Sequence, residues 1–357
     1  MNQLRSSSSH VLIHENCFDL HSMGEYTVIL HGGAGPQDPR GIKAQRAANS
    51  LVNTLDFLFD PSTDMRLFGK DEWPSAASLR QELYDQNWAA FFYGSRLAAL
   101  PRIGKYALAG VASLEKDPLF NAGWGAALQR DGVARVSASY MDSVRRKFSS
   151  VINVPECLHP SLLAAFLQDE KHCMRDAQGA QNLMASLGLK PQALLTPERF
   201  EQWVEKKRQS LQETLPDEWG TGTVGAIVVN AAGALAAVTS TGGVGFEPVG
   251  RIGDSGTTSG NYVSENFACS CTGYGEQITD LGFAVRVAAR IQTGESLSQA
   301  FGAVMAEASR REFGLAAICA QVDRGKLHVA CGTTEEYFVW AYRNSAGMKI
   351  FQDFIPA

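Results

Sequence analysis

Gly222-Thr223-Val224-Gly225-Ala226-Ile227-Val228-Val229 decides how this chain is read. A threonine follows a glycine and opens an apolar, β-branched run. Residues 223–230 predict a strand apolar on both faces. Ala231-Ala232-Gly233 predicts a turn, and residues 234–241 the returning strand, which ends in Thr239-Ser240-Thr241-Gly242-Gly243. Thr223 and Thr241 each lie nine residues from Ala232. A symmetric antiparallel register makes them cross-strand neighbours at the open end of the hairpin, with Cβ atoms roughly 4.5–5.5 Å apart. Gly242 and Gly243 clear side chains from that point, so a ligand or another backbone can approach. Either threonine alone is explained by the preference of threonine for strands. The pair with its glycines points to chemistry.

That layout suits a chain that cuts itself before Thr223 and then uses the new N-terminal threonine as nucleophile. A threonine hydroxyl is weakly nucleophilic, and a free α-amine on the same residue, with a pKa near ~8, is placed to take its proton. Two further clusters follow. In Gly250-Arg251-Ile252-Gly253-Asp254-Ser255, opposite charges stand three residues apart between glycines. Such a pair can hold a zwitterion, arginine gripping a carboxylate and aspartate an ammonium. It can equally be an ion pair within a turn. In Thr272-Gly273-Tyr274-Gly275-Glu276, the Thr272 hydroxyl and the Gly273 N–H can form an oxyanion hole. The alternative is a glycine turn opening a helix.

The bulk properties set the frame. At 357 residues the chain makes one large domain or two modest ones, and 45% hydrophobic residues supply a substantial core. The net charge is -5 with no lysine/arginine block, so no nucleic-acid footprint is indicated. The seven cysteines form no Cys-x-x-Cys or His/Cys metal spacing and read as reduced thiols of a cytoplasmic protein. No apolar stretch reaches membrane-spanning length. Residues 1–25 are polar, contain Ser6-Ser7-Ser8-Ser9, and predict a flexible, tag-like leader.

Along the rest of the chain, residues 26–31 predict a buried strand stopped by Gly32-Gly33-Ala34-Gly35. Helices are expected at residues 42–59, 76–100, 106–114, 160–167 and 177–187, with an irregular stretch at 65–74 and a strand at 134–141. Residues 191–213 read as a charged helix leading into a linker, about 188–222, that ends at Gly222. Later come a strand at 267–271 and helices at 281–292 and 297–313, the second N-capped by Ser296 with Leu297, Phe301, Val304 and Ala308 on one apolar stripe. A hairpin, residues 315–321 and 327–331, turns at Asp323-Arg324-Gly325, and residues 337–342 close the sheet. Strands in antiparallel hairpins and helices in consecutive pairs suit sheets packed face to face with helices outside.

These clusters, in this order from Tyr26 to near the C-terminus, closely resemble the plant-type asparaginase / isoaspartyl peptidase family of N-terminal-nucleophile (Ntn) hydrolases. His31-Gly32-Gly33-Ala34-Gly35 resembles the family's opening strand and turn. Leu114-Glu115-Lys116-Asp117-Pro118-Leu119-Phe120-Asn121-Ala122-Gly123-Trp124-Gly125 resembles its metal-stabilised loop. The resemblance implies an α+β fold, a four-layer αββα sandwich, cut at Gly222–Thr223 into an α subunit, 1–222, and a β subunit, 223–357. It implies Thr223 as nucleophile with its own amine as base, and Thr241 orienting that amine or hydroxyl. Thr272 and Gly273 would stabilise the oxyanion. Arg251, Asp254, Gly273 and Gly275 would hold the substrate, with Asn121 near the nucleophile. A structural sodium ion would sit on the carbonyls of Leu114, Glu115, Asp117, Phe120, Ala122 and Trp124, with no catalytic cofactor. The expected substrate is a small amino acid or dipeptide: L-asparagine, a β-aspartyl peptide, or both. The expected assembly is a homodimer of cleaved αβ units in the cytoplasm, without nucleic-acid or membrane partners.

Three stretches depart from the family pattern. Ser137-Ala138-Ser139 stands where Asp-Ala-Ser is usual, residues 244–249 differ, and Gly256-Thr257-Thr258-Ser259-Gly260 replaces a longer segment. All three wall the substrate pocket. Thr241-Gly242-Gly243 looks like the asparaginase branch rather than the glycosylasparaginase branch. Two other readings stay beside this one: a glycosylasparaginase-like activity, and an uncleaved relative that binds a ligand or partner. An α/β-hydrolase lacks support, because no Gly-x-Ser-x-Gly is present and His31 reads as structural. A nucleotide site would need a Walker lysine or a strand–Gly-x-Gly-x-x-Gly–helix unit, and the chain shows neither.

Overall fold

The computed structural model describes residues 11–35, 42–60, 96–212 and 222–354. The chain runs β1 (Leu12–Asp19), β2 (Tyr26–Gly35), α1 (Ile42–Phe59), α2 (Arg102–Glu115), β3 (Arg135–Asp142), β4 (Ser149–Pro155), α3 (Pro160–Phe166), β5 (Met174–Arg175), α4 (Ala177–Ser186) and α5 (Pro197–Leu211). It continues with β6 (Val224–Asn230), β7 (Leu235–Thr241), β8 (Asn261–Val263), β9 (Phe267–Gly273), α6 (Gly275–Leu281), α7 (Phe283–Gln292), α8 (Leu297–Arg310), β10 (Leu315–Asp323), β11 (Lys326–Thr333), β12 (Tyr337–Asn344) and β13 (Gly347–Phe354). This is an α+β arrangement of two sheets, ordered β1-β11-β10-β9-β8 and β13-β12-β2-β6-β7-β3-β4-β5.

Strand β6 shows why the run after Thr223 is apolar throughout. Val224, Ala226 and Val228 pack with α1, α2 and α3, while Ile227 and Val229 face Ala268, Ile318 and Val329 of the second sheet. Both faces are covered, so both need apolar side chains. A third apolar cluster joins Cys269, Ala317 and Cys319 to Phe283, Val287, Phe301 and Val304 of α7 and α8. Ser296 caps α8 in a reciprocal box with Gln299, and the stripe Leu297, Phe301, Val304, Ala308 is buried, as the periodicity predicts.

The β6–β7 register pairs Val224 with Ser240 and Val229 with Leu235. One step outward, it sets Thr223 opposite Thr241. Within β6, Gly225 lies where a Cβ would stand 2.1 Å from Ser270 Oγ and 2.2 Å from His31 Nε2. Gly225→Ala is therefore expected to destabilise the fold by roughly 1–3 kcal/mol through overpacking. The shift in denaturant midpoint against the unaltered protein measures it.

Several expectations change. Residues 12–19 are not leader but β1, paired along its whole length with β11 from Leu12↔Thr333 to Asp19↔Lys326. The partner strand is some three hundred residues away in sequence, so nothing local marks the pairing. The expected helix 281–292 breaks at Gly282, which adopts φ 57 and separates α6 from α7. Residues 337–342 do not end the sheet, because β13 adds an edge strand on β12. Strands β4, β5 and β8 had no sequence signal strong enough to separate them from loops. Residues 1–10 of the expected leader, the irregular stretch 65–74, most of the helix expected at 76–100 and residues 213–221 of the linker lie outside the described residues. Among the described residues no helix is long and apolar enough to cross a membrane.

Candidate active site

Thr223 and Thr241 meet as the register requires. Thr223 Oγ1 donates to Thr241 Oγ1 at 3.0 Å, and both residues are buried, 6% and 8% exposed. The Gly243 N–H also reaches Thr241 Oγ1, at 3.2 Å. Asn121 ties this corner together. Its N–H holds the Gly222 carbonyl at 3.2 Å, its own carbonyl accepts from Gly242 N–H at 2.7 Å, and its Nδ2 donates to the Gly243 carbonyl at 2.6 Å. The carbonyl oxygen of Gly222, on the bond expected to be cut, is therefore gripped by a backbone donor. Gly222 is wedged as well: a Cβ on Gly33, whose φ is +104, would stand 2.6 Å from Gly222 Cα. Only glycine adopts that conformation cheaply and leaves that space.

Beneath Gly225 lies a buried polar chain that the sequence reading missed. His31 Nε2 and Ser270 Oγ are 2.8 Å apart, and Ser270 Oγ and Thr239 Oγ1 2.7 Å. Burial pushes the His31 pKa down to about 3, so the ring is neutral there. The His-Gly-Gly motif was the available signal, but it does not reveal a partner on β9.

Arg251 and Asp254 do not pair with each other, contrary to a simple turn ion pair. Arg251 forks onto Glu276, Nε to Oε1 at 2.6 Å and Nη2 to Oε2 at 2.5 Å. Asp254 is buried, and its Oδ2 has no hydrogen-bond partner. Burial raises its pKa to about 7, against the opposing pull of its backbone N–H and of Arg251. Both side chains border Gly275, where a Cβ would stand 2.9 Å from Asp254 Oδ1 and 3.0 Å from Arg251 Nη2. Thr272 Oγ1 is likewise buried without a partner, and the next residue, Gly273, takes φ +133. Unpartnered buried groups of this kind mark a place that a ligand completes.

The loop after α2 curls its carbonyls together. A Cβ on Gly123 would stand 2.2 Å from the Glu115 oxygen, and one on Gly125 1.9 Å from that of Phe120. The carbonyls of Leu114, Asp117 and Ala122 already accept N–H groups of Asp117, Phe120 and Gly125, each at 3.1 Å. Trp124 is 40% exposed. The side chain of Glu115, expected only to lend its carbonyl, is a buried anchor. Ser240 Oγ donates to it at 2.7 Å, Ser161 Oγ at 2.8 Å and Ser161 N–H at 3.1 Å, with His159 Nδ1 at 3.0 Å. It thereby bolts the loop to the strand residue next to Thr241.

One altered stretch, residues 137–139, is accounted for in part. Ser137, opposite Thr241, accepts the Asn153 N–H at 3.0 Å, and Ser139 donates to the Ser255 carbonyl at 2.5 Å.

Comparison with known proteins shows which family the chain resembles over most of its length. A family described as asparaginase matches residues 102–352. An isoaspartyl peptidase/L-asparaginase of Synechocystis is 36% identical over 67% of this chain and 74% of that protein. An isoaspartyl peptidase of Escherichia coli is 31% identical over 90% of this chain and 94% of that protein. A human isoaspartyl peptidase/L-asparaginase is 34% identical over 53% of this chain and 64% of that protein. With most of its length matched, from the loop around Asn121 through the last strand pair, this chain belongs to the asparaginase family.

Proposed function

We propose that the chain is a self-cleaving amidohydrolase acting on the side-chain amide of L-asparagine and on β-aspartyl peptides. The observation that carries this reading is the Thr223–Thr241 hydroxyl contact beside a Gly222 carbonyl held by Asn121. In the precursor, Thr223 Oγ attacks that carbonyl, the Gly222–Thr223 C–N bond breaks, and the nitrogen leaves as the Thr223 amine. Water then hydrolyses the ester, freeing the Gly222 carboxylate. In the mature enzyme the amine takes the hydroxyl proton as Oγ attacks the substrate's side-chain carbonyl. Thr272 Oγ1 and the Gly273 N–H receive the oxyanion. The amine returns the proton to the departing ammonia or amine, and water releases aspartate. Arg251 grips the α-carboxylate with the edge that Glu276 leaves open, and Asp254 takes the α-ammonium at Gly275.

The fold proposed with this reading is the four-layer αββα sandwich, supported by an apolar cluster between the sheets and one on the outer side of each. The converging carbonyls of the Leu114–Trp124 loop suit a hard monovalent cation, and a sodium ion there would hold the loop that presents Asn121. A cytoplasmic setting is proposed on the seven free thiols. A homodimer of cleaved αβ units is proposed on the family resemblance.

Denaturing electrophoresis and mass measurement of the purified protein, with turnover of L-asparagine, test the reading. Two fragments, the smaller starting at Thr223, and release of ammonia are expected. An unbroken, inactive chain would favour a binding role instead.

The pH profile offers a second check. Only ionised Asp254 can receive an ammonium, and its carboxyl titrates at about 7. Below that value kcat/KM for L-asparagine should fall, approaching about tenfold per unit. The Thr223 amine titrates nearby, so Asp254→Asn separates the two: the limb at Asp254 should vanish from its profile. An identical limb in that variant refutes the assignment.

A further inference from the structure

Three directions lead away from Thr223 in the site as proposed. The oxyanion points to Thr272 and Gly273, and the aspartyl head group to Arg251 and Asp254. The wall left for the leaving group is Thr241, Gly242 and Gly243. Glu247 stands behind that wall: its Oε1 would be 2.0 Å from a Cβ on Gly243. Gly243 in turn is hydrogen-bonded to Thr241 Oγ1, the partner of the nucleophile. The absence of a side chain at Gly243 thus lets the buried Glu247 carboxylate pack against a residue that is hydrogen-bonded to the partner of Thr223.

Glu247 is 6% exposed, and its Oε2 has no hydrogen-bond partner. The Gln129 side chain and the N–H groups of Gly245 and Glu247 face the carboxyl group, and Arg251 and Lys206 supply positive charge at longer range. Both cations are engaged elsewhere, Arg251 on Glu276 and Lys206 on the Gly245 carbonyl at 3.3 Å. Burying a carboxylate with an unmatched oxygen is costly, and a ligand cation offsets that cost. Glu247 also falls in residues 244–249, a stretch that departs from the usual family sequence.

Building on the amidohydrolase reading, we propose that Glu247 sets leaving-group specificity and that the preferred substrates are β-aspartyl compounds whose leaving amino acid has a basic side chain. A leaving amino acid always brings its own carboxylate. Beside Glu247, an acidic side chain adds repulsion, a neutral one leaves it uncompensated, and an ammonium or guanidinium reverses it. Under this proposal Glu247 meets the leaving group and not the aspartyl half, so its effect is a ranking among leaving groups.

The test measures kcat/KM for β-aspartyl-lysine, β-aspartyl-leucine and β-aspartyl-glutamate with the full-length, self-processed protein and with Glu247→Gln. The lysine compound should exceed the glutamate compound by roughly 10–100-fold, the worth of one charge-assisted hydrogen bond. Glu247→Gln should remove most of that ratio. Turnover of all three without a charge ranking overturns this inference while leaving the amidohydrolase reading intact, as does a ratio unchanged in Glu247→Gln. Turnover of none, together with no hydrolysis of L-asparagine, overturns both. The ranking by the unaltered protein needs no variant, so its absence overturns the inference even if Glu247→Gln fails to fold.

Discussion

Thr223→Ala should yield a single polypeptide of 38.6 kDa with no measurable hydrolysis of L-asparagine or any β-aspartyl peptide. The two losses have one cause. Without the hydroxyl, nothing adjacent attacks the Gly222 carbonyl, although Asn121 still holds it and Gly33 still makes room for it. Without the cut, residue 223 keeps its nitrogen in a peptide bond and has no amine to serve as base. The substitution removes one small polar group at the edge of a strand whose core contacts are made by residues 224–229, so folding should survive. A thermal midpoint near that of the unaltered protein, alongside the missing cleavage, distinguishes lost chemistry from lost structure. Appearance of the 223–357 fragment in Thr223→Ala would remove Thr223 from the self-cleavage step.

Thr272→Val is expected to lower kcat by about 10²–10³, the usual cost of one oxyanion donor. Valine keeps the branched shape of threonine, so the buried packing of β9 is preserved and only the hydroxyl is lost. That hydroxyl has no partner in the folded chain, so its removal breaks no hydrogen bond of the fold. Stability should change little while turnover collapses. If Thr272 only packs, kcat will stay within a few-fold of normal, and steady-state kinetics with L-asparagine at saturating substrate decide. The same variant can still process itself, because the Gly222 carbonyl is held by Asn121 rather than by β9. Normal cleavage with poor turnover is the expected pattern.

Much of the hairpin that carries Thr223 was legible. Because both faces of the strand are apolar, alternation does not choose the register; the turn centred on Ala232 does, and that register brings Thr223 to Thr241. The helix at Ile42–Phe59 and the start of α8 were readable because helical patterning and a capping serine are local signals, whereas α8 ends at Arg310, three residues before the expected 313. The partner of Arg251 was not readable. Asp254, three residues away, is the nearer acid in sequence, yet Glu276 at the start of α6 takes the fork. That choice leaves Asp254 Oδ2 buried without a hydrogen-bond partner. Glu115 shows the same limit, because its donors come from α3 and β7, far from it in the chain.

Local order along the chain therefore determined the strands of the central hairpin, the meeting of its two threonines and the glycine points where backbone must bend or make way. These follow from β-branched apolar runs, turn chemistry and chirality, which act over a few residues. Tertiary structure alone decided that β1 belongs to a sheet, that His31 meets Ser270 and Thr239, and that Glu247 ends behind Gly243 with an unmatched oxygen. Those outcomes depend on which distant groups share a buried space. Burial is a property of the whole packed chain, and it is what makes a lone carboxylate or a neutral imidazole significant.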